Sequence, residues 1–403
     1  MSGSQRDIGH GRGVSATEAA QAITAAAGGF VGDENFGLVS PEIAAMAPYN
    51  EGISWQDVAA ETGVAVEELV RLASNENPLG PSALAVEAGH AALLGANRYP
   101  DGDARALKKA LAERHGVSTE HIVLGNGTNE LIELLVRTFL GSSQTMVTAW
   151  PSFVVYRLVV QAAGREALVA PLRNERYDLS AMAALIDSRT QLVFIANPNN
   201  PTGTYVPRRL LAAFLERIPR SVIVVLDEAY AEFADAVDYP DGVKDFGHHP
   251  RLVVLRTFSK AFGLAGLRVG YGVMDPTLVH FINAVRQPYN VSVVAQAAAL
   301  AALGDHAHLR ASQRLVWEGK AQLTEGFKRL RLDVVASQTN FLVVKLGFAA
   351  APVVAELRAQ GILVRDLATY GMPQALRITV GTKAQNMQLL EHLGPILKRV
   401  SRA

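Results

Sequence analysis

Three short apolar runs in this sequence are each followed closely by side chains that can do chemistry. The runs are expected to be β-strands at 191–196, 222–226 and 252–255. The polar residues that follow them are, in order, Asn200, Asp227 with Tyr230, and Lys260. Because ligands of open parallel sheets lie at the carboxyl ends of strands, we expect an amide, a carboxylate, a phenol and an amine at one edge of one sheet.

This combination suits a pyridine aldehyde that carries a phosphate group. A lysine amine forms an imine with an aldehyde, and a buried carboxylate keeps a pyridine nitrogen protonated, which makes the ring an electron sink. A phenol and an amide can hydrogen-bond the ring oxygen. Thr257, Ser259 and Arg268 add two hydroxyls and a guanidinium suited to the phosphate. The residues therefore indicate pyridoxal 5'-phosphate as the cofactor.

A second phosphate-binding element is predicted at 125–130. The run Gly-Asn-Gly-Thr-Asn-Glu stands directly before an amphipathic helix expected at 131–140. Glycines permit close approach of the backbone, and the free N–H groups of a helix start attract an anion. The run lacks the third glycine of a dinucleotide fingerprint and the Lys-Ser/Thr of a P-loop, so both of those nucleotide sites are excluded.

The elements that position these residues alternate between strands and helices. Further strands are expected at 145–150 and 268–274, and apolar runs without strict alternation favour a mainly parallel sheet with helices on both faces. The elements expected after residue 295 are a helix at 296–329, strands at 340–345, 362–365 and 375–380, and a closing helix at 383–400. The fold class is therefore α/β, with a second, smaller α+β unit.

The sequence is expected to divide into four segments. They are an amino-terminal arm at 1–40, a segment at 41–76 that joins the small domain, a large cofactor-binding domain at 77–290 and a small carboxyl-terminal domain at 291–403. Helical patterns are expected at 17–27 within the arm and at 54–72.

Composition excludes several other classes of site and partner. The chain has 403 residues, no cysteine, and 38 basic against 38 acidic residues. Without cysteine there are no disulfides, thiolate nucleophiles or cysteine-bound metals, and the balanced charge favours neither nucleic acid nor a membrane as a partner. His248 and His249 have no partner at metal-binding spacing, so no metal is expected. No secretory signal or bilayer-spanning run is found, and we expect a cytoplasmic protein.

Several sequence motifs carry a resemblance to a known family. The first three are Asn-Pro-Thr-Gly at 200–203, Asp-Glu-Ala-Tyr at 227–230 and Ser-Lys-Ala-Phe-Gly-Leu-Ala-Gly-Leu-Arg at 259–268. With them the chain resembles fold-type I aminotransferases of class II. Further runs at 74–80, 97–101 and 376–382 resemble histidinol-phosphate aminotransferases more closely. The resemblance runs from about residue 47 to the carboxyl terminus, and it implies a mainly parallel seven-stranded sheet in the large domain and a homodimer with shared active sites.

The resemblance also implies a role for each matching residue. Lys260 holds the cofactor and moves the substrate proton, Asp227 pairs with the pyridine nitrogen, and Tyr230 and Asn200 contact the ring oxygen. The cofactor phosphate is bound by Thr128, Asn129, Thr257, Ser259 and Arg268, joined by Tyr99 from the neighbouring subunit. Phe153 stacks on the cofactor. Arg377 takes the substrate carboxylate, and Arg377, Arg365 and Tyr49 hold the phosphate of histidinol phosphate.

Some of these residues also have purely structural explanations. Asp227 is placed to cap a helix, the run around Asn200 is typical of a turn, and Arg377 suits an edge strand. Four functions stay open: transamination between histidinol phosphate and 2-oxoglutarate in histidine biosynthesis, transamination of aromatic amino acids, cofactor-dependent regulation, and decarboxylation of a phosphorylated amino acid. Lys260, Asp227 and Arg377 together favour catalysis over regulation.

Overall fold

The computed structural model describes residues 39–46 and 54–400. Residues 39–46 contain one short helix, α1 (Pro41–Ala44), whose first turn is capped by the Ser40 hydroxyl. The helix expected at 17–27 lies outside the described residues. Among the described helices, none combines the length and the apolar character needed to cross a membrane. The other helices and strands all lie within residues 54–400.

The strands form two sheets. In chain order they are β1 (Val70–Leu72), β2 (Ile122–Gly125), β3 (Thr145–Trp150), β4 (Glu166–Arg173), β5 (Arg176–Tyr177), β6 (Thr190–Ala196), β7 (Ile223–Asp227), β8 (Leu252–Thr257), β9 (Gly270–Met274), β10 (Asp333–Val335), β11 (Phe341–Lys345), β12 (Ile362–Asp366) and β13 (Ala375–Thr379).

The helices that pack around these strands alternate with them along much of the chain. They are α2 (Trp55–Thr62), α3 (Ala83–Leu93), α4 (Arg105–His115), α5 (Gly127–Phe139), α6 (Val155–Ala162), α7 (Leu179–Leu185), α8 (Arg208–Arg217), α9 (Gly242–Phe246), α10 (Pro276–Val285), α11 (Val293–Gly304), α12 (His306–Arg329), α13 (Ala351–Ala359) and α14 (Lys383–Val400).

The larger sheet has the order β2-β9-β8-β7-β6-β3-β4-β5. Its inner pairs β3–β4, β3–β6, β6–β7 and β7–β8 are parallel, whereas β9 is antiparallel to both of its neighbours. Every residue of β7 and β8 is buried, as expected for strands covered on both faces. Seven of the eight strands have four residues or more, which agrees with the seven strands expected from the sequence. The eighth strand is the two-residue β5, which is antiparallel to β4.

The smaller sheet has the order β1-β12-β13-β11-β10 and a hydrophobic core of its own. Strand β1 joins it in parallel with β12, although the other four strands all come from the last quarter of the chain. Leu72, Phe327, Leu342 and Leu393 are fully or almost fully buried in this core. The domain boundaries expected at 76/77 and 290/291 stay a prediction.

Two helical predictions were wrong in detail. The helix expected at 296–329 is two helices, because Asp305 stops α11 and its carboxylate accepts the His308 N–H at the start of α12. The helix expected at 54–72 ends at Thr62, because Gly63 adopts the left-handed conformation (φ 71°) that closes a helix. The remainder of that segment forms a short 3-10 helix (Val66–Glu68) and then β1.

Candidate active site

The ends of three neighbouring parallel strands bring the predicted side chains to one edge of the larger sheet. Ala196 at the end of β6 pairs with Asp227 at the end of β7, and Asp227 pairs with Leu255 of β8. The residues that follow these positions therefore emerge side by side. The predicted juxtaposition of the amide, carboxylate, phenol and lysine segments is confirmed.

Groups suited to binding a phosphate lie together at the start of α5. The helix begins at Gly127, four residues before the expected start, so Thr128 and Asn129 lie in its first turn. A Cβ on Gly127 would lie 2.4 Å from Arg268 Nη2, so the guanidinium sits directly against this turn. The Asn126 side chain makes no capping hydrogen bond to this helix start, and the Glu130 carboxylate accepts from the Asn126 backbone N–H, which precedes the helix. Free N–H groups and a guanidinium together favour an anion.

Two hydroxyls lie beside the same guanidinium. The Thr257 hydroxyl is 3.0 Å from the Ser259 hydroxyl, to which it donates, and Arg268 Nη1 lies 3.4 Å from Ser259 Oγ. Gly270 completes the cradle, because a Cβ there would come within 2.8 Å of the Thr128 backbone nitrogen. Arg268 itself is in the left-handed region (φ 54°), a conformation rare for a residue with a long side chain. Four of the residues predicted to bind the cofactor phosphate, Thr128, Thr257, Ser259 and Arg268, thus lie close together.

Asp227 is buried, and both of its carboxylate oxygens accept hydrogen bonds. The Tyr156 hydroxyl donates to Oδ2 at 2.7 Å, and the Ala229 N–H donates to Oδ1 at 3.1 Å. Burial raises the pKa of Asp227, while the two hydrogen bonds oppose that rise. The Ala229 contact is the local turn expected of a capping aspartate, but Tyr156 comes from α6 on a different segment. A capping role alone does not explain that second bond.

Tyr230 is also buried, and its hydroxyl meets an amide. Asn75 Nδ2 donates to Tyr230 Oη at 3.0 Å, and burial raises the pKa of the phenol to about 12. The phenol ring packs edge-on against Phe341, with 5.4 Å between ring centroids. Tyr230 is therefore a neutral phenol at physiological pH.

Lys260 lies over the ring of Tyr230. Its Nζ is 5.8 Å from the ring centroid and 3.5 Å from the Ser74 carbonyl oxygen. Burial, followed by the positive charge of Arg377, lowers the pKa of the amine to about 8. A substantial fraction of Lys260 is thus neutral near pH 8, and the neutral amine is the form that attacks an aldehyde.

Arg377 connects the smaller sheet to the loop after β6. Its Nη1 donates to Asn200 Oδ1 at 2.6 Å, its Nη2 donates to the Ala73 carbonyl at 2.8 Å, and its guanidinium lies over the Phe341 ring. The side chain is 7% exposed. Arg365 on β12 is the direct cross-strand partner of Arg377 on β13. Both arginines and Asn200 are therefore brought together.

The remaining predicted residues have different positions. Phe153 packs edge-on against Tyr156, with ring centroids 5.4 Å apart, which places it beside the Asp227 partner. Tyr99 is 83% exposed and stacks on Tyr289 at 4.7 Å, so its predicted role in a neighbouring subunit stays a prediction. Tyr49 lies outside the described residues. Within the described residues, no group of three or more histidine, aspartate or glutamate side chains is arranged to hold a metal.

Two residues that contact the site were not predicted from the sequence. Tyr156 has apolar neighbours at helical spacing and looks like a core aromatic, so nothing local indicates its bond to Asp227. Asn75 lies in the run 74–80 that carries part of the resemblance, and its position between polar residues before a proline indicates a turn. Its contact with Tyr230 follows only from the folded chain.

Comparisons with known proteins show the family of this chain. A family model for class I and II aminotransferases matches residues 67–393. Histidinol-phosphate aminotransferase 2 of Pseudomonas fluorescens is 47% identical over 362 residues, which are 90% of this chain and 98% of that protein.

Solved structures give the same picture of the fold. The histidinol-phosphate aminotransferase of Sinorhizobium meliloti, in complex with pyridoxal-5'-phosphate, has a TM-score of 0.84 at 26% identity and covers 92% of this chain and 100% of its own. The L-threonine-O-3-phosphate decarboxylase of Porphyromonas gingivalis has a TM-score of 0.70 at 25% identity, with 81% and 99% covered.

Proposed function

The chain belongs to the class I and II aminotransferases and is an enzyme of amino-group transfer, and from this premise we propose that it acts on L-histidinol phosphate. The amino acceptor is 2-oxoglutarate, the products are imidazole acetol phosphate and L-glutamate, and the reaction belongs to histidine biosynthesis. The observation that carries the proposal is the pair of arginines, Arg365 and Arg377, directly opposite each other on β12 and β13. The name of the 47% identical relative supports it independently.

Pyridoxal 5'-phosphate is proposed as the cofactor, because the residues fit each part of it. The start of α5, Thr257, Ser259 and Arg268 form a cradle for its phosphate. Asp227 supplies a buried carboxylate for the ring nitrogen, and Lys260 supplies an amine for the aldehyde. When bound, the cofactor provides an electron sink that acidifies the substrate Cα.

The chain's own side chains then have distinct tasks. Lys260 Nζ would take the proton from the substrate Cα and release it again within the site, since its pKa of about 8 leaves a substantial fraction of the amine neutral near that pH. Tyr230, a neutral phenol, donates a hydrogen bond to the ring oxygen. Arg377 binds the carboxylate of glutamate with a planar guanidinium, and Arg365 adds a second one for a phosphate monoester, which carries more charge and more acceptor oxygens.

A homodimer with shared active sites is also proposed, because apolar side chains crowd one exposed region. Leu93 and Leu94 at the end of α3 are 59% and 90% exposed, and the Tyr99 ring follows them. An exposed apolar region of this kind marks a protein contact. In the proposed dimer, as the family resemblance implies, Tyr99 of one subunit joins the phosphate cradle of the other. The cytoplasmic location expected from the sequence stays a prediction.

Steady-state kinetics with two amino donors test the proposed substrate. The purified protein is assayed with histidinol phosphate and with phenylalanine, each against 2-oxoglutarate, and glutamate is measured. Because histidinol phosphate has no carboxyl group, L-threonine O-3-phosphate is supplied in a separate assay in which carbon dioxide is measured. We expect glutamate formation with a much larger kcat/KM for histidinol phosphate and no carbon dioxide. Rapid turnover of phenylalanine alone would assign the chain to aromatic transamination, and release of carbon dioxide without glutamate would assign it to decarboxylation.

A further inference from the structure

We propose that Asn75, held by Thr379, is a positioning residue that directs the Tyr230 hydroxyl proton toward the cofactor and so links strand β13 to the reacting centre. The inference rests on the proposed function, in which Lys260 holds pyridoxal phosphate and Tyr230 faces its ring oxygen. It concerns residues 75 and 379, which the motifs of the sequence leave without a role.

The direction of the hydrogen bond between Asn75 and Tyr230 follows from Thr379. The Asn75 backbone N–H donates to Thr379 Oγ1 at 2.9 Å, and the Thr379 hydroxyl donates its proton to Asn75 Oδ1 at 3.1 Å. This leaves Asn75 Nδ2 to face Tyr230 Oη at 3.0 Å. A reversed amide would leave the Thr379 hydroxyl, 1% exposed, without an acceptor among the described residues.

Because Tyr230 Oη accepts from Asn75, its own proton points away from the amide and is available to another acceptor. A phenol that accepts a hydrogen bond is also a stronger donor, since neighbouring bonds polarise one another. Tyr230 is buried, so few other partners compete for its proton. The arrangement therefore presents a strengthened donor to the proposed position of the ring oxygen.

The backbone of Asn75 is fixed as firmly as its side chain. Its φ is 56°, in the left-handed region that asparagine tolerates better than most residues. The Asn75 carbonyl accepts from Asn340 Nδ2 at 3.0 Å, and Asn340 directly precedes β11. Asn75 and Asn340 are 2% and 1% exposed. Contacts from Thr379 on β13 and from Asn340 before β11 thus hold the Asn75 amide against the phenol of Tyr230, which follows β7 of the larger sheet.

The link has a consequence for substrate binding. Thr379 and Arg377 are two residues apart on β13, so their side chains share one face of the strand. An anion bound by Arg377 acts on the same strand whose hydroxyl orients Asn75. The position of the substrate and the donor strength of Tyr230 are therefore connected through one short segment.

The test is the pH midpoint of the visible absorbance change of the bound cofactor, measured on the full-length protein loaded with pyridoxal phosphate. A hydrogen bond to the ring oxygen favours its charged form, so loss of that bond raises the midpoint. We expect Tyr230→Phe to raise it most. Asn75→Ala and Thr379→Val should raise it by about 0.5 to 1 pH unit, a three- to tenfold change in the dissociation constant.

Matched variants separate positioning from general damage. Thr379→Ser keeps the hydroxyl and should restore the wild-type midpoint. Thr148→Val removes another buried hydroxyl, one that bonds the Phe194 carbonyl, and should leave the midpoint unchanged. In a Tyr230→Phe background, Asn75→Ala and Thr379→Val should add no further shift, because the phenol through which they act is gone. If Asn75→Ala does not fold, the comparison of Thr379→Val with Thr379→Ser still tests the inference.

The possible results distinguish the inference from the function on which it rests. A protein that takes up no cofactor would overturn the proposed function. A normal wild-type titration and a shifted Tyr230→Phe, with Thr379→Val unchanged, would overturn the inference alone. A lowered midpoint in Asn75→Ala would also overturn it, because it would mean that Tyr230 donates to Asn75 and is released by the substitution.

Discussion

Arg365 and Arg377 face each other across the antiparallel strands β12 and β13. Directly opposed residues of such a pair point to the same side of the sheet, with Cβ atoms about 5 Å apart. Like charges on directly opposed residues of a strand pair repel each other, and Arg377 is largely removed from water. An anion between the two guanidinium groups would relieve this repulsion, and this relationship gives the first prediction.

Arg365→Ala should raise the KM for histidinol phosphate about ten- to hundredfold, which corresponds to the 1.5–3 kcal/mol of a hydrogen bond to a charged group. The KM for glutamate and for 2-oxoglutarate should change little, whereas Arg377→Ala should damage both half-reactions. Arg71→Ala is a control, since Arg71 lies on β1 of the same sheet and its guanidinium sits over Trp55. Equal losses with phosphorylated and carboxylate substrates would remove Arg365 from the phosphate site.

Lys260→Ala should still bind pyridoxal phosphate but should lose turnover by about 10³-fold or more, because no other amine replaces its proton transfer. Borohydride treatment should link the cofactor covalently to the wild type and not to the variant, as mass spectrometry would show. Lys320 is a partly buried lysine that bonds the Ser337 carbonyl, so Lys320→Ala should remain linkable. A Lys260→Ala enzyme with a near-normal rate would exclude the proposed mechanism.

Asp227→Ala should reduce turnover by orders of magnitude while the protein remains folded, because the ring nitrogen loses its carboxylate. Tyr156→Phe should cost less, about ten- to hundredfold, since it removes one hydrogen bond to that carboxylate. Tyr177→Phe is the control, because the buried Tyr177 hydroxyl bonds Ser152 instead. A loss of less than about tenfold in Asp227→Ala, or ~1.4 kcal/mol, would make Asp227 a structural residue of the turn after β7 only.

The rate of cofactor uptake by the apo-protein should rise with pH and level off above about pH 8, the pKa of Lys260, because the neutral amine is the reacting form. Arg377→Leu should move this midpoint upward, since its positive charge is the second cause of the lowered pKa. Arg358→Leu, at a surface arginine that pairs with Glu61, should leave it in place. A midpoint near 10 in the wild type would contradict the lowered pKa of Lys260.

His115 should make the protein less stable as the pH falls. Burial, followed by the positive charge of Arg256, lowers its pKa to about 4 from the ordinary 6.5. Between these values the unfolded chain binds a proton that the folded chain does not, so up to ~3 kcal/mol of stability is lost from about pH 6.5 down to about pH 4.

Urea unfolding at several pH values would measure this loss. His115→Gln should show a smaller fall in the free energy of unfolding over the same range, because glutamine does not titrate. The same dependence on pH in variant and wild type would show that other groups cause the acid instability.

The parts of the site that follow from neighbouring residues could be predicted from the sequence. Asp227 ends one apolar strand and Lys260 comes shortly after the next. Because these strands are parallel neighbours, both residues are expected at the same edge of the sheet. The placement of Arg365 and Arg377 on adjacent strands follows from the short turn between them. Asn75 could not be assigned in this way, because its partners are Tyr230 and Thr379, far along the chain.

The errors have a similar physical origin. Apolar spacing continues across Asp305, so periodicity alone merges α11 with α12, and only the capping bond to His308 separates them. Tyr156 looks like a core residue because it is one: it is fully buried and stacks on Phe194. Its hydroxyl nevertheless donates a hydrogen bond to a carboxylate. An apolar sequence pattern does not indicate the partner of that hydroxyl.

The parallel pairing of β1 with β12 sets an order on how the chain can fold as it leaves the ribosome. All eight strands of the larger sheet lie between Ile122 and Met274, so that sheet has its full complement before the later part of the chain is made. Strand β1 cannot form its pair until Ile362, the partner of Val70, has been synthesised. Because Asn75 follows β1 and depends on Thr379, the nascent protein should acquire its phosphate cradle early and its finished catalytic phenol last.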